Sequence, residues 1–130
     1  MITREADYAV RVVLYLAQHT EEGAVSTADL AEEMDIPYRF LRKIVRRMVD
    51  AELVVSQRGQ GGGLRLARSE KEISLADVLN AIDPSGVKLN LCMLEGDGCQ
   101  RSKFCVVSKK FEVLQAELDE KLRSITFDKF

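Results

Sequence analysis

Residues 36–50 read IPYRFLRKIVRRMVD. Leu41, Ile44, Val45 and Met48 recur at i, i+3, i+4 and i+7, and Arg39, Arg42, Lys43 and Arg46 repeat that spacing two residues earlier. At about 100° per residue the two sets lie nearly opposite each other on a helix, so one face is apolar and the other wholly cationic. Pro37 suits the opening of such a helix, where its fixed φ and missing N–H cost little. The spacing therefore predicts a helix over residues 38–51. Solvated faces usually mix signs and gain i,i+4 ion pairs; four bases without an acid repel one another, and an anion is expected opposite them.

The flanking segments say which anion. Upstream, Ser26 is placed to cap a short helix, TADLAEEM, with Asp29 three residues on in capping-box position. A tight turn at Asp35-Ile36 separates it from the basic helix. A short acidic helix, a turn and a basic helix make a helix-turn-helix, whose second helix enters the DNA major groove. Arg39, Arg42 and Lys43, near its start, are expected at base edges, and Arg46 and Arg47 at phosphates. Ser26, Thr27 and Tyr38, at the two helix starts, join the expected contact set. Downstream, LVVSQR and LRLAR are strand-like runs bridged by GQGGG, a hairpin signal. No Lys-Ser/Thr pair or helix start follows these glycines directly, so a nucleotide-binding loop is not expected. They read as the slender wing of a winged helix, with Arg58, Gly59 and Arg65 against DNA and Arg58 suited to a narrow minor groove.

Elsewhere the chain reads as helices. Residues 3–19 carry a Thr3 cap, early acids Glu5 and Asp7, and an apolar face of Ala6, Val10, Val13, Leu14 and Ala17. Ser74 caps LADVLNAI, with Leu75, Val78, Leu79 and Ile82 facing the core. A last helix from about residue 106 to 123 aligns Phe104, Val107, Phe111, Leu114, Leu118, Leu122 and Ile125 within roughly 80° of arc. A stripe that narrow and that long is expected to seal against a twin, with Val107, Phe111, Leu114, Leu118 and Leu122 as the seam. The expected fold is mainly α with a small β-hairpin. Residues 1–83 form a winged helix-turn-helix domain, 84–105 a cysteine-bearing loop, and 106–130 a dimerisation helix with a C-terminal tail.

Composition bounds these readings. At 130 residues and 46% hydrophobic content one compact domain is expected. The net charge of −2 conceals segregation: residues 21–35 hold six acids and no base, whereas residues 36–68 carry a net +6. Phosphates feel charge only within about 8 Å at physiological salt, so the local field outweighs the sum. No apolar run approaches the roughly 20 residues of a membrane span. MITREAD carries no export signal, and with three cysteines a cytoplasmic location with reduced thiols is expected.

All three cysteines lie in residues 91–105, LCMLEGDGCQRSKFC, separated by six and five residues. Zinc sites favour tighter pairs and a fourth local ligand, and the only histidine, His19, is remote in sequence. Three thiolates on a loop suit an iron–sulfur cluster, whose size tolerates wide spacing. A disulfide with a spare thiol stays open as an alternative.

The chain resembles the winged-helix iron–sulfur regulators of the IscR, NsrR and RirA kind. The likeness runs from DYAVRVVLYLA through LAEEMDIPYRFLRKIVRRMVDAELVVSQRGQGGGLRLAR and ISLADVLNAID to the three cysteines and the final helix. Its most specific parts are the RGQGGG wing and the cysteine loop. The resemblance implies a homodimeric transcription factor, usually a repressor, that binds operator DNA. It also implies a four-iron or two-iron cluster held by Cys92, Cys99 and Cys105. Members of the IscR kind have a histidine three residues past the last cysteine, where this chain has Ser108. Sensors of the NsrR kind use an aspartate at the start of the first helix, contributed across the dimer, and Asp7 matches that place. Asp7 reads equally well as an acid favoured by the helix dipole. An oxygen ligand is a poorer partner for a soft centre than thiolate, leaving one iron open to nitric oxide, oxygen or another small molecule. Members with cluster-dependent sites carry a glutamate where this chain has Arg42, so operator preference is expected to differ. Two rivals stand beside this reading: a winged-helix regulator with zinc or redox thiols, and a small iron–sulfur electron carrier. No catalytic constellation is evident, and an enzyme is not expected.

Overall fold

In the computed structural model, residues 1–94 and 99–130 are described, with Ser102 described in its backbone alone. The middle of the cysteine loop, residues 95–98, lies outside the described residues.

Five α-helices and one hairpin follow in the order α1 (Arg4–Gln18), α2 (Thr27–Glu33), α3 (Tyr38–Asp50), β1 (Val54–Gln57), β2 (Gly63–Leu66), α4 (Leu75–Ile82) and α5 (Val106–Ser124). The expected caps are present. Thr3 Oγ1 accepts from Ala6 N at 3.2 Å and Ser26 Oγ from Asp29 N at 3.0 Å. The reciprocal capping box forms at α4 instead, where Ser74 Oγ accepts from Asp77 N and Asp77 Oδ2 accepts from Ser74 N at 2.8 Å. Pro37 occupies the N-cap position of α3.

Helix α3 buries Leu41, Ile44, Val45 and Met48, the four residues its spacing assigned. Helix α1 departs from expectation. Its fully buried residues are Ala6, Ala9, Val12, Val13 and Leu16, while Val10, Leu14 and Ala17 are only partly buried. The reason is position: α1 packs on α3, α4 and β2 together, so its apolar arc is wider than a single stripe. Helix α4 buries Ala76 with Val78, Leu79 and Ile82, and Leu75 is half-buried.

The hairpin is antiparallel, with Val54 opposite Leu66 and Gln57 opposite Gly63. Val25, just ahead of α2, bridges Leu64 and so ties the wing to the helix-turn-helix. Gly63 makes this approach possible. Its φ is +137°, and a Cβ there would stand 2.5 Å from the Val25 carbonyl oxygen.

The C-terminus is not a free tail. Thr126 bridges Ser74, Leu75 N donates to the Ile125 carbonyl at 2.8 Å, and Phe127 is 3% exposed in the common core. Residues 125–130 thus close over the start of α4. No helix among the described residues is long and apolar enough to cross a membrane.

Candidate nucleic-acid interface and cysteine arm

Burying one side of α3 leaves Arg39, Arg42, Lys43 and Arg46 exposed on the other. Among the described residues the ion pairs are Arg11 with Asp7 and Arg47 with Glu5, so no acid neutralises these four cations. The Arg42 guanidinium carbon lies 5.9 Å from the centroid of the exposed Tyr38 ring. At that range the ring restrains the guanidinium without consuming its N–H donors. Arg58 and Gly59 are exposed at the wing, and Arg65 is exposed on β2.

Arg47 is placed otherwise. It lies only about 40° round the helix from Lys43, yet its Nη1 donates to Glu5 Oε2 at 2.8 Å and to the Ile82 carbonyl at 3.1 Å. This guanidinium, itself exposed, braces α3 against α1 and the end of α4. Ser26 commits its hydroxyl to the α2 cap, and Thr27 is half-buried.

The thiols of Cys92, Cys99 and Cys105 are all free, the first and last half-buried and Cys99 exposed. Cys92 Sγ is 4.0 Å from Ser108 Oγ, and Ser108 Oγ donates weakly to Glu112 Oε1 at 3.5 Å. Among the described residues no three His, Cys, Asp or Glu side chains gather closely enough to hold a metal ion. Asp7 is half-exposed and accepts from Arg11 Nε at 2.9 Å, one turn along α1. A single chain therefore does not join it to the three thiols as one group.

The expected seam of α5 divides. Val107 and Leu114 are 59% and 49% exposed, Phe111 and Leu118 are half-buried, and Leu122 packs against the chain's own core. Val106 and Val113 are also exposed, beside a Phe104 that is 88% exposed. The exposed apolar residues of α5 are thus Val106, Val107, Val113 and Leu114, two of them, Val107 and Leu114, in the expected seam.

The inward face of α5 holds a residue the sequence reading missed. Gln115, 7% exposed, accepts from Leu89 N through Oε1 at 2.9 Å and donates through Nε2 to the Val87 carbonyl and to Asp119 Oδ1, both at 2.8 Å. It clamps the backbone leading to Cys92 onto α5. One signal was available: in the row Ser108, Phe111, Gln115, Leu118, Leu122, at alternating three- and four-residue steps, two positions are polar. Beyond this arm, Ser85 donates through both N and Oγ to Asp83 Oδ1 and holds that carboxyl below its usual range.

A helix-turn-helix with an unneutralised reading helix and a glycine-tipped wing defines a winged-helix DNA-binding regulator. The chain belongs to the Rrf2 family of iron-dependent transcriptional regulators, whose family profile matches residues 2–130. It is 34% identical over 127 residues to the HTH-type transcriptional regulator IscR of Pectobacterium carotovorum, covering 98% of this chain and 76% of that relative. IscR of Sodalis glossinidius is 33% identical over 125 residues, covering 96% and 74%. Among solved structures, T. potens IscR superposes with a TM-score of 0.79 at 28% identity, covering 99% of this chain and 84% of that one. CymR, the global cysteine regulator of B. subtilis, shares the fold with a TM-score of 0.73 at 23% identity, covering 99% and 94%. The protein is a DNA-binding transcription regulator and not an enzyme.

Proposed function

We propose that the chain acts as a homodimer whose operator binding is controlled by an iron–sulfur cluster sensing nitric oxide, redox state or iron supply, with repression as the output. The observation that carries this reading is the chemistry of the donor set: three free thiols in one arm, with no disulfide and no local histidine. Soft thiolates fit an iron–sulfur centre. Asp7 of a second copy would supply the fourth ligand. When bound, such a cluster supplies a centre that exchanges electrons and reacts with small oxidants.

The chain's own residues do the rest. Arg39, Arg42 and Lys43 reach base edges, Arg46 holds phosphate, and Arg58 with Gly59 and Arg65 lies along the backbone or minor groove. Ser26, Thr27 and Tyr38 position the two helix starts against the duplex. The apolar edge of α5 meets its twin and sets the separation of the two reading helices. Half-sites one turn apart, about 34 Å, tolerate little rotation, so a change in the arm ahead of α5 is read as lost register.

Anaerobic purification with iron and sulfide analysis tests the cluster. A coloured protein that bleaches with nitric oxide or air, and whose stability falls in Asp7→Ala, supports it. A colourless protein with stoichiometric zinc refutes it in favour of thiol or zinc control. Arg42→Ala and Arg58→Ala are expected to abolish operator binding with iron content unchanged; loss of iron instead favours the electron carrier.

A further inference from the structure

Where the start of α1 meets the start of α3 lies a cavity of about 540 Å³ lined by Arg4, Tyr8, Pro37, Arg39, Phe40 and Lys43. Its floor is aromatic, with the Tyr8 and Phe40 rings edge to face at 5.7 Å between centroids and 85° between planes. Both rings also pack against the core, so the floor is held from behind. Three cations line the cavity and no acid does. The two acids nearest in sequence are engaged elsewhere, Glu5 by Arg47 and Asp7 by Arg11.

Contact with DNA explains part of this arrangement and leaves part over. Phosphates are met by protruding cations and need neither a concavity nor an aromatic floor. A cavity within the roughly 300–1,000 Å³ range of small-molecule sites, apolar below and cationic at the rim, is complementary to a ligand of matching polarity. We propose that this cavity binds a small organic anion, an aromatic or compact apolar body bearing a carboxylate. Because Arg39 and Lys43 belong both to its rim and to the exposed face of α3, occupancy and operator binding exclude each other. The exclusion rests on the proposed reading of α3 as the face that meets DNA.

The test uses the full chain with 2-naphthoate as probe and 2-naphthamide as its uncharged counterpart. Titration is followed by the ring resonances of Tyr8 and Phe40. Naphthoate is expected to move both, the amide to bind about tenfold more weakly, and Arg4→Gln to remove that difference, a loss matching one charge-assisted contact. In a competition arm, naphthoate is expected to displace a labelled operator duplex. Equal binding of acid and amide overturns the proposal, as do ring resonances that stay still, or simultaneous binding of naphthoate and duplex. A duplex that fails to bind in every state sinks the α3 reading alone, and the ring shifts then decide the cavity.

Discussion

Replacing Gln115 by methionine keeps the length and volume of the side chain and removes every polar contact it makes. Three hydrogen bonds go: from Leu89 N, to the Val87 carbonyl and to Asp119. Each is worth about 0.5–1.5 kcal/mol net, and a backbone group left without a partner costs more where water cannot reach it. Leu89 is exposed and Val87 half-buried, so water satisfies part of the loss. A destabilisation of about 2 kcal/mol is expected, which for a chain of this size lowers Tm by roughly 8 °C. Thermal denaturation measures the total, and hydrogen exchange at the Leu89 amide reports the clamp itself. Gln115→Glu sharpens the test. Its carboxylate still accepts from Leu89 N but cannot donate to the Val87 carbonyl, and it faces Asp119. That neighbour raises the introduced group's folded pKa, so its protonated form is favoured below the unfolded value of about 4.3 and the benefit is lost as pH rises through the folded value. Gln115→Glu is therefore expected to be less stable than Gln115→Met at pH 7 and to recover toward pH 4. If Gln115→Met melts with the parent chain and the Leu89 amide exchanges no faster, the clamp does not hold the arm.

Three further outcomes follow from the geometry. Gly63→Ala puts a Cβ against the Val25 carbonyl, a backbone atom that cannot swing aside; a loss of about 1–3 kcal/mol in urea unfolding, with weaker operator binding, is expected. Arg47→Met gives up an ion pair that is about half exposed and one carbonyl contact, so about 1 kcal/mol of stability should go while the salt dependence of DNA binding stays as it was. Arg46→Met is expected to do the reverse, leaving stability unchanged and flattening the slope of log K against log salt by about 0.9, as measured by anisotropy titrations over a salt series.

Elements resting on a single periodicity were legible in the sequence. The spacing of α3 alone identified its buried face, because that helix has one apolar side and one charged side with nothing between. The caps at Thr3, Ser26 and Ser74 and the hairpin between residues 53 and 68 were legible for the same local reason. Misreadings arose where an element serves two neighbours. α1 lies among α3, α4 and the wing, and its core row is chosen by those contacts rather than by its strongest stripe. Arg47 continues a basic run in sequence, and its contact with Glu5, 42 residues away, is one that no local pattern announces. Phe127 is buried where its N donates to the Glu70 and Ile73 carbonyls and the neighbouring Thr126 bridges Ser74, which no local pattern announces either.

The same physics explains the division of α5. A helix that only served a twin would be apolar along one row, and a helix that only served its own domain along the opposite row. α5 has an inward row interrupted by Ser108 and Gln115 and an outward edge of Val106, Val107, Val113 and Leu114. The two polar interruptions fall where the cysteine arm is attached, Ser108 beside Cys92 and Gln115 on the backbone of residues 87–89. Apolar packing there would be stronger but indifferent to sliding, whereas hydrogen bonds hold one register and break abruptly when it changes. Under the proposed function, an arm fastened in this way would pass a change at its thiols to α5 as a discrete shift. If α5 pairs with a twin along its outer edge, that shift turns one reading helix against the other.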